Sequence, residues 1–96
     1  VATRTHVAGL DLLGDAGCGC GFNDGIRGLD GLHTVVIEQN SIRDMGGAGI
    51  LFDQNNSDIL IRNNAMSDIA SLGIGLGFNN QRVTIENGVV TGWEIK

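Results

Sequence analysis

The chain has no proline and no tyrosine, and its aromatic residues are one Trp and three Phe among 96. Six Lys and Arg stand against eleven Asp and Glu, a formal net charge of −5. That balance argues against a nucleic-acid partner, since phosphate contacts need clustered Lys and Arg. No apolar run approaches the roughly 18 residues of a transmembrane helix, and no basic-then-apolar stretch reads as a signal peptide. A membrane is therefore not an expected partner either. The chain opens on Val1, which leaves a leader, a tag or a larger parent open. The only two cysteines are Cys18 and Cys20, separated by Gly19. A disulfide between such near neighbours closes a small, strained ring. One Cys-x-Cys also lacks the second pair of a structural zinc site. They read as two small residues packed near a turn and do not set the compartment.

What the chain has instead is glycine, 16 residues, and an apolar share of 42%, too high for a disordered segment. A chain this long buries about two-thirds of its unfolded surface, enough for one domain. Residues 35–56 are followed, after a lag of 24 without gaps, by residues 59–80 that say nearly the same thing. Seven of the 22 pairs are identical: Ile37/Ile61, Asn40/Asn64, Asp44/Asp68, Gly49/Gly73, Ile50/Ile74, Asn55/Asn79 and Asn56/Asn80. Six further pairs keep an apolar residue apolar. Residues 83–93 begin another pass. A repeat at fixed lag decides the architecture before any motif is weighed.

Within one unit, three short runs alternate with period 2: Val35 and Ile37, then the run around Ile42, then Ile50 and Phe52. Short β-branched runs between Gly and Asn are strands. A helix would not tolerate Gly46-Gly47 or the series Gly73, Gly75, Gly77. Three strands per 24 residues predict an all-β parallel β-helix of about 3–4 coils, each strand pairing with its equivalent one turn on at about 4.8 Å. The whole chain, 1–96, is expected to be one domain: 1–24 an irregular or capping first turn, 25–93 regular coils. Leu10 and Leu12 align with Val35 and Ile37 if one residue is inserted, placing a degenerate first turn at 9–31. Asn40 and Asn64 fall where a corner needs a residue that tolerates left-handed backbone, with Gly88 in their place one repeat later. Their stacked amides, like those of Asn55/Asn79 and Asn56/Asn80, predict a ladder along the axis. Outward Glu38, Arg62 and Glu86 predict a charge column with Arg62 sandwiched between acids.

The pattern Val35-x-Ile37-x-x-Asn40-x-Ile42 with Gly49-Ile50-x-Phe52, repeated at Ile59, Ile61, Asn64, Met66, Gly73, Ile74 and Leu76, resembles the right-handed parallel β-helix repeats of carbohydrate-active proteins. Pectate-lyase-like proteins, mannuronan epimerases, periplasmic copper-maturation proteins and phage tailspikes share it. The resemblance covers roughly residues 25–93 and implies a right-handed coil, a carbohydrate setting and an extracellular or periplasmic location. Against the epimerases, Asp53 occupies the position of a motif acid, but the Pro-His that follows there is replaced by Gln54-Asn55. The acid-and-base pair of that chemistry is not carried over.

Lyases and epimerases of acidic sugars need a base and a cation, Arg or calcium, and glycoside hydrolases need two carboxyls at about 5–10 Å. The outward acids are Asp44 and Asp68 in one column, Asp53, and Asp24 and Asp30 on the first turn. Asp44, Asp53 and Asp68 are the candidate catalytic acids, with calcium as the one cofactor to consider. Asp44 and Asp68 also fit a bland role, capping the turns before Met45 and Ile69. Arg27 and Asp53 flank the third strand and are the candidate substrate-binding residues, beside a strip expected to be open at Gly75 and Gly77. His33, aligned with Ser57 and Gln81, reads as a polar corner residue; Trp93 reads as packing at the C-terminal end. Uncapped coil ends expose strand edges, so a homo-oligomer through coil ends or edges is expected. The leading expectation is a saccharide-binding or structural β-helix module, alone or as part of a larger carbohydrate-active protein. The alternatives are a polysaccharide lyase, epimerase or hydrolase acting on an acidic polysaccharide, and a non-binding assembly or scaffold subunit.

Overall fold

The structure is a computed structural model, and it describes residues 4–14 and 24–91. The expectations for Cys18, Cys20 and Trp93 concern residues outside those. Eleven strands follow one another with no helix among the described residues. The second coil comprises β4 (His33–Glu38), β5 (Ser41–Met45) and β6 (Ile50–Gln54). The third repeats it as β7 (Ser57–Arg62), β8 (Ala65–Ile69) and β9 (Ile74–Phe78). The first coil holds β1 (Thr5–Ala8), β2 (Asp11–Leu13) and β3 (Ile26–Asp30). The fourth begins with β10 (Gln81–Glu86) and β11 (Val89–Thr91).

Like strands stack into three parallel sheets, ordered β1-β4-β7-β10, β2-β5-β8-β11 and β3-β6-β9. The lag of 24 sets the register: Val35 on Ile59 on Val83, Ile42 on Met66, Ile50 on Ile74. Because β side chains alternate, one set of each strand is turned inward at every coil. These inward residues make a single core of Val35, Ile37, Ile42, Met45, Ile50, Phe52, Ile59, Ile61, Met66, Ile69 and Ile74, each at most 5% exposed. Burying each large aliphatic side chain contributes roughly 1.5–3 kcal/mol, and no coil can do so alone.

The first coil departs from the expected alignment. Thr5 and Val7, not Leu10 and Leu12, stand over Val35 and Ile37, and Leu12 stands over Ile42. The first turn thus begins at Thr5 rather than at residue 9. The lag there is 30 (35 − 5), and it returns to 24 (50 − 26) by β3. The six extra residues fall between Gly14 and Asp24, and a fixed-lag comparison runs through them out of register.

The corners are also shifted by one residue from the expectation. The left-handed residues are Gln39, Asn63 and Asn87, with φ of 57°, 55° and 51°, not Asn40, Asn64 and Gly88. Asn40 and Asn64 are instead buried, 2% and 3% exposed, and turned inward. The Asn64 side-chain oxygen accepts from the Asn40 backbone N–H at 3.1 Å and from its amide at 3.0 Å, while Asn64 Nδ2 donates to the Ile37 carbonyl at 3.0 Å. The second corner divides labour the same way. Asn55 and Asn79 are left-handed and exposed; Asn56, fully buried, donates from Nδ2 to Asn80 Oδ1 at 2.9 Å. The expected amide ladders are present. No buried side-chain polar atom among the described residues lacks a partner.

Candidate functional site

The third sheet carries the two residues singled out for binding. Arg27 leaves β3 outward, and Asp53 leaves β6 one coil on. The structure brings them together as a fork: Arg27 Nη2 to Asp53 Oδ2 at 2.8 Å and Arg27 Nε to the same oxygen at 3.2 Å. The Asp53 carboxylate holds the guanidinium in its charged form, raising it above the ordinary arginine value, with Asp24 a minor further contributor. Asp24 Oδ2 lies 3.9 Å from Arg27 Nη1, while its other oxygen accepts the Ala48 backbone N–H at 2.8 Å. Both binding candidates are therefore spent largely on each other.

The strip expected to be open beneath them is closed. Gly75 is buried, and a Cβ there would sit 2.9 Å from Leu51 Cδ1 and 3.0 Å from Leu72 Cδ1. Gly77 is exposed, but a Cβ on it would run into the Asp53 backbone carbonyl. The glycines let the neighbouring coil and two leucines lie close, and they do not make a groove.

Asp44 and Asp68 stack in neighbouring coils, flanked by the pairs Arg43/Ser67 and Met45/Ile69. Both have left-handed backbones, φ 57° and 54°, where the chain bends within β5 and β8. Asp tolerates that conformation better than most residues. The structure brings neither of them to Asp53. Among the described residues there is no group of three His, Cys, Asp or Glu side chains placed to hold a metal ion.

A different feature emerges at the corner between the third sheet and the first. Four exposed polar side chains are linked there: Asp30, Asn55 and Asn79 on successive coils, and Gln81 two residues beyond Asn79. Asn55 Nδ2 donates to Asp30 Oδ1 at 3.2 Å, Asn79 Nδ2 to Asn55 Oδ1 at 2.9 Å, and Gln81 Nε2 to Asn79 Oδ1 at 3.1 Å. Next to this row is a groove of about 220 Å³ lined by His33, Ser57 and Arg82 as well as Asn55, Asn79 and Gln81. His33 Nδ1 and Ser57 Oγ lie 2.6 Å apart, and Arg82 grips Asp58 with Nε at 2.6 Å and Nη2 at 3.2 Å. That grip keeps the Asp58 carboxyl below its ordinary value, with the His33 ring adding a smaller pull. Phe78, one residue before Asn79 and in register with Gln54, is 67% exposed. Sequence reasoning identified His33, Ser57 and Gln81 as an aligned polar column but did not single out Phe78, Asp58 or Arg82. The available signal was the lag itself, which stacks Asn79 on Asn55 and Gln81 on Ser57 and His33 at adjacent positions of one corner.

The outward column on the first sheet differs from the expectation in one respect. Arg62 Nε bonds Glu38 Oε1 at 2.8 Å, and His6 Nε2 closes on the other oxygen at 2.6 Å. Glu86 is in register with Arg62 yet forms no ion pair with it among the described residues. The arginine is therefore not sandwiched between acids; Glu38 lies between two bases.

Three parallel sheets wound around one apolar core, with amide ladders at the corners, define a right-handed parallel β-helix. The chain belongs to the right-handed β-helix region family, whose model matches residues 16–94. No curated protein and no solved structure matches it significantly.

Proposed function

We propose that this β-helix is a structural module that also binds a saccharide at its polar corner and performs no chemistry on it. The observation that carries the reading is the exposed row Asp30–Asn55–Asn79–Gln81 beside a groove, with the exposed Phe78 one residue before Asn79 in the chain. Amide side chains offer a donor and an acceptor each, matching sugar hydroxyls, and Asn55 and Asn79 stack here one coil apart, at about the 4.8 Å strand spacing. An exposed aromatic ring beside polar groups supplies an apolar surface on which a pyranose ring can lie. The binding surface thus moves from the Arg27–Asp53 face to the next corner, because Arg27 and Asp53 neutralise one another.

A catalytic reading rests on Asp44, Asp53 or Asp68 as an acid or base; Asp53 is held by a bidentate guanidinium, and Asp44 and Asp68 sit at left-handed bends of their strands. A proton-transferring carboxyl needs free reach to its substrate. The test is a glycan array beside an ultraviolet assay for unsaturated uronate product. Binding without product is expected; product formation, or a chain that binds no glycan, would overturn the reading.

A further inference from the structure

Resting on the saccharide reading above, we infer that the ligand is a neutral saccharide, with Phe78 as its stacking platform. The chemistry of the corner separates neutral from acidic ligands. An acidic sugar requires an uncommitted cation to neutralise its carboxylate. Of the five arginines among the described residues, four are tied to carboxylates: Arg27 to Asp53, Arg43 to Asp11, Arg62 to Glu38 and Arg82 to Asp58. Arg82 is the one that lines the groove, and its Nε and Nη2 both face Asp58.

Acids also border the site. Asp30 heads the amide row and Asp58 neighbours Ser57, in a chain of net charge −5. A uronate placed there meets like charge at Asp30, which no cation among the described residues pairs, while the Arg82 that could receive it is already matched to Asp58. A neutral sugar meets instead a matched set: amide and hydroxyl donors, amide and carboxylate acceptors, and one apolar ring. Hydroxyls can serve both the donors and the acceptors, so no member of the row is left unpaired.

The site is tested with the intact chain on an array of neutral glycans and oligogalacturonates, followed by calorimetric titration of the strongest binder at low and high salt. Neutral glycans alone are expected to bind, with affinity nearly unchanged by salt, because screening acts only between charges. Phe78→Ala is expected to weaken binding by about tenfold or more, and Phe78→Trp to retain it. Circular dichroism and melting of both variants are expected to match the parent, since the ring is largely exposed. Salt-sensitive binding of oligogalacturonate would overturn the neutral assignment while leaving the saccharide-binding module intact. No binding to any glycan would overturn the module reading itself. A neutral glycan bound equally well by Phe78→Ala would overturn the placement of the site.

Discussion

At the scale of single residues, the same amino acid does two different jobs at neighbouring positions. Asn64 is buried and serves three groups of the adjacent coil: the Asn40 N–H, the Asn40 amide and the Ile37 carbonyl. Asn79 makes an amide ladder bond too, but in the open. An unpaired buried polar group costs about 1–3 kcal/mol, whereas an exposed one turns to water. Asn64→Ala is therefore expected to lower unfolding free energy by about 3 kcal/mol or more, and Asn79→Ala by less than about 1 kcal/mol. Urea titration of the two variants measures the difference. Acid sensitivity is also a residue-scale property. Glu38 lies below its ordinary value of 4.5, first because Arg62 bonds it and second because His6 does. Asp58 lies below 3.8 because Arg82 bonds it. A carboxyl whose folded value is depressed contributes its full stability above the unfolded value and loses it as pH falls through the folded one. The melting temperature is thus expected to hold steady above pH 4.5 and fall below it, with Glu38→Gln flattening the start of the fall.

At the scale of elements, the inner ladder ends where the repeat breaks. Asn40 and Asn64 are succeeded by Gly88, so the Asn64 backbone N–H has no amide beneath it. Next to that step is a cavity of about 170 Å³ whose lining includes Ile61, Asn64, Met66, Ile85 and Gly88. A Cβ at Gly88 meets only the Asn64 carbonyl oxygen, at 3.4 Å, and the backbone there is not left-handed. Gly88→Asn is expected to extend the ladder, with the new amide accepting from the Asn64 N–H and donating to the Ile61 carbonyl. One further buried hydrogen-bonded step raises stability by about 1 kcal/mol, read as a shifted urea midpoint. The opposite case is Gly49, which no side chain can replace cheaply: a Cβ would lie 2.6 Å from Met66 Sδ and 2.7 Å from the Gly73 carbonyl. The pair Gly49/Gly73 was legible in the sequence as glycines at a lag of 24, and close packing against the next coil is the cause at Gly49. The corner residues were legible only to within one position. Gln39-Asn40 and Asn55-Asn56 are both two-residue turns, and which member turns left-handed depends on which side chain the core can accept.

At the scale of the whole molecule, stability is concentrated in the middle coils. The buried core residues run from Val35 to Ile74, while Val7, Leu12, Ile26, Val83 and Ile85 only pack against its ends. A stack held by nearest-neighbour contacts opens from its least-buried coils. Amide hydrogen exchange is expected to be slowest in β4, β5, β7 and β8 and markedly faster in β1, β2, β10 and β11. Uniform protection across all four coils would contradict this. By itself, the sequence determined the coil: a lag of 24 with period-2 apolar runs has one economical burial, so strands, inward residues and stacking partners follow from pattern alone. Only the tertiary structure decided the first coil's register, since six extra residues hide it from any fixed-lag comparison. It alone decided that Arg27 and Asp53 pair off, that Leu51 and Leu72 close over Gly75, and that Phe78 stands in the open. Those outcomes depend on where long side chains reach across coils, and an outward residue carries no periodic signal saying which neighbour it will meet.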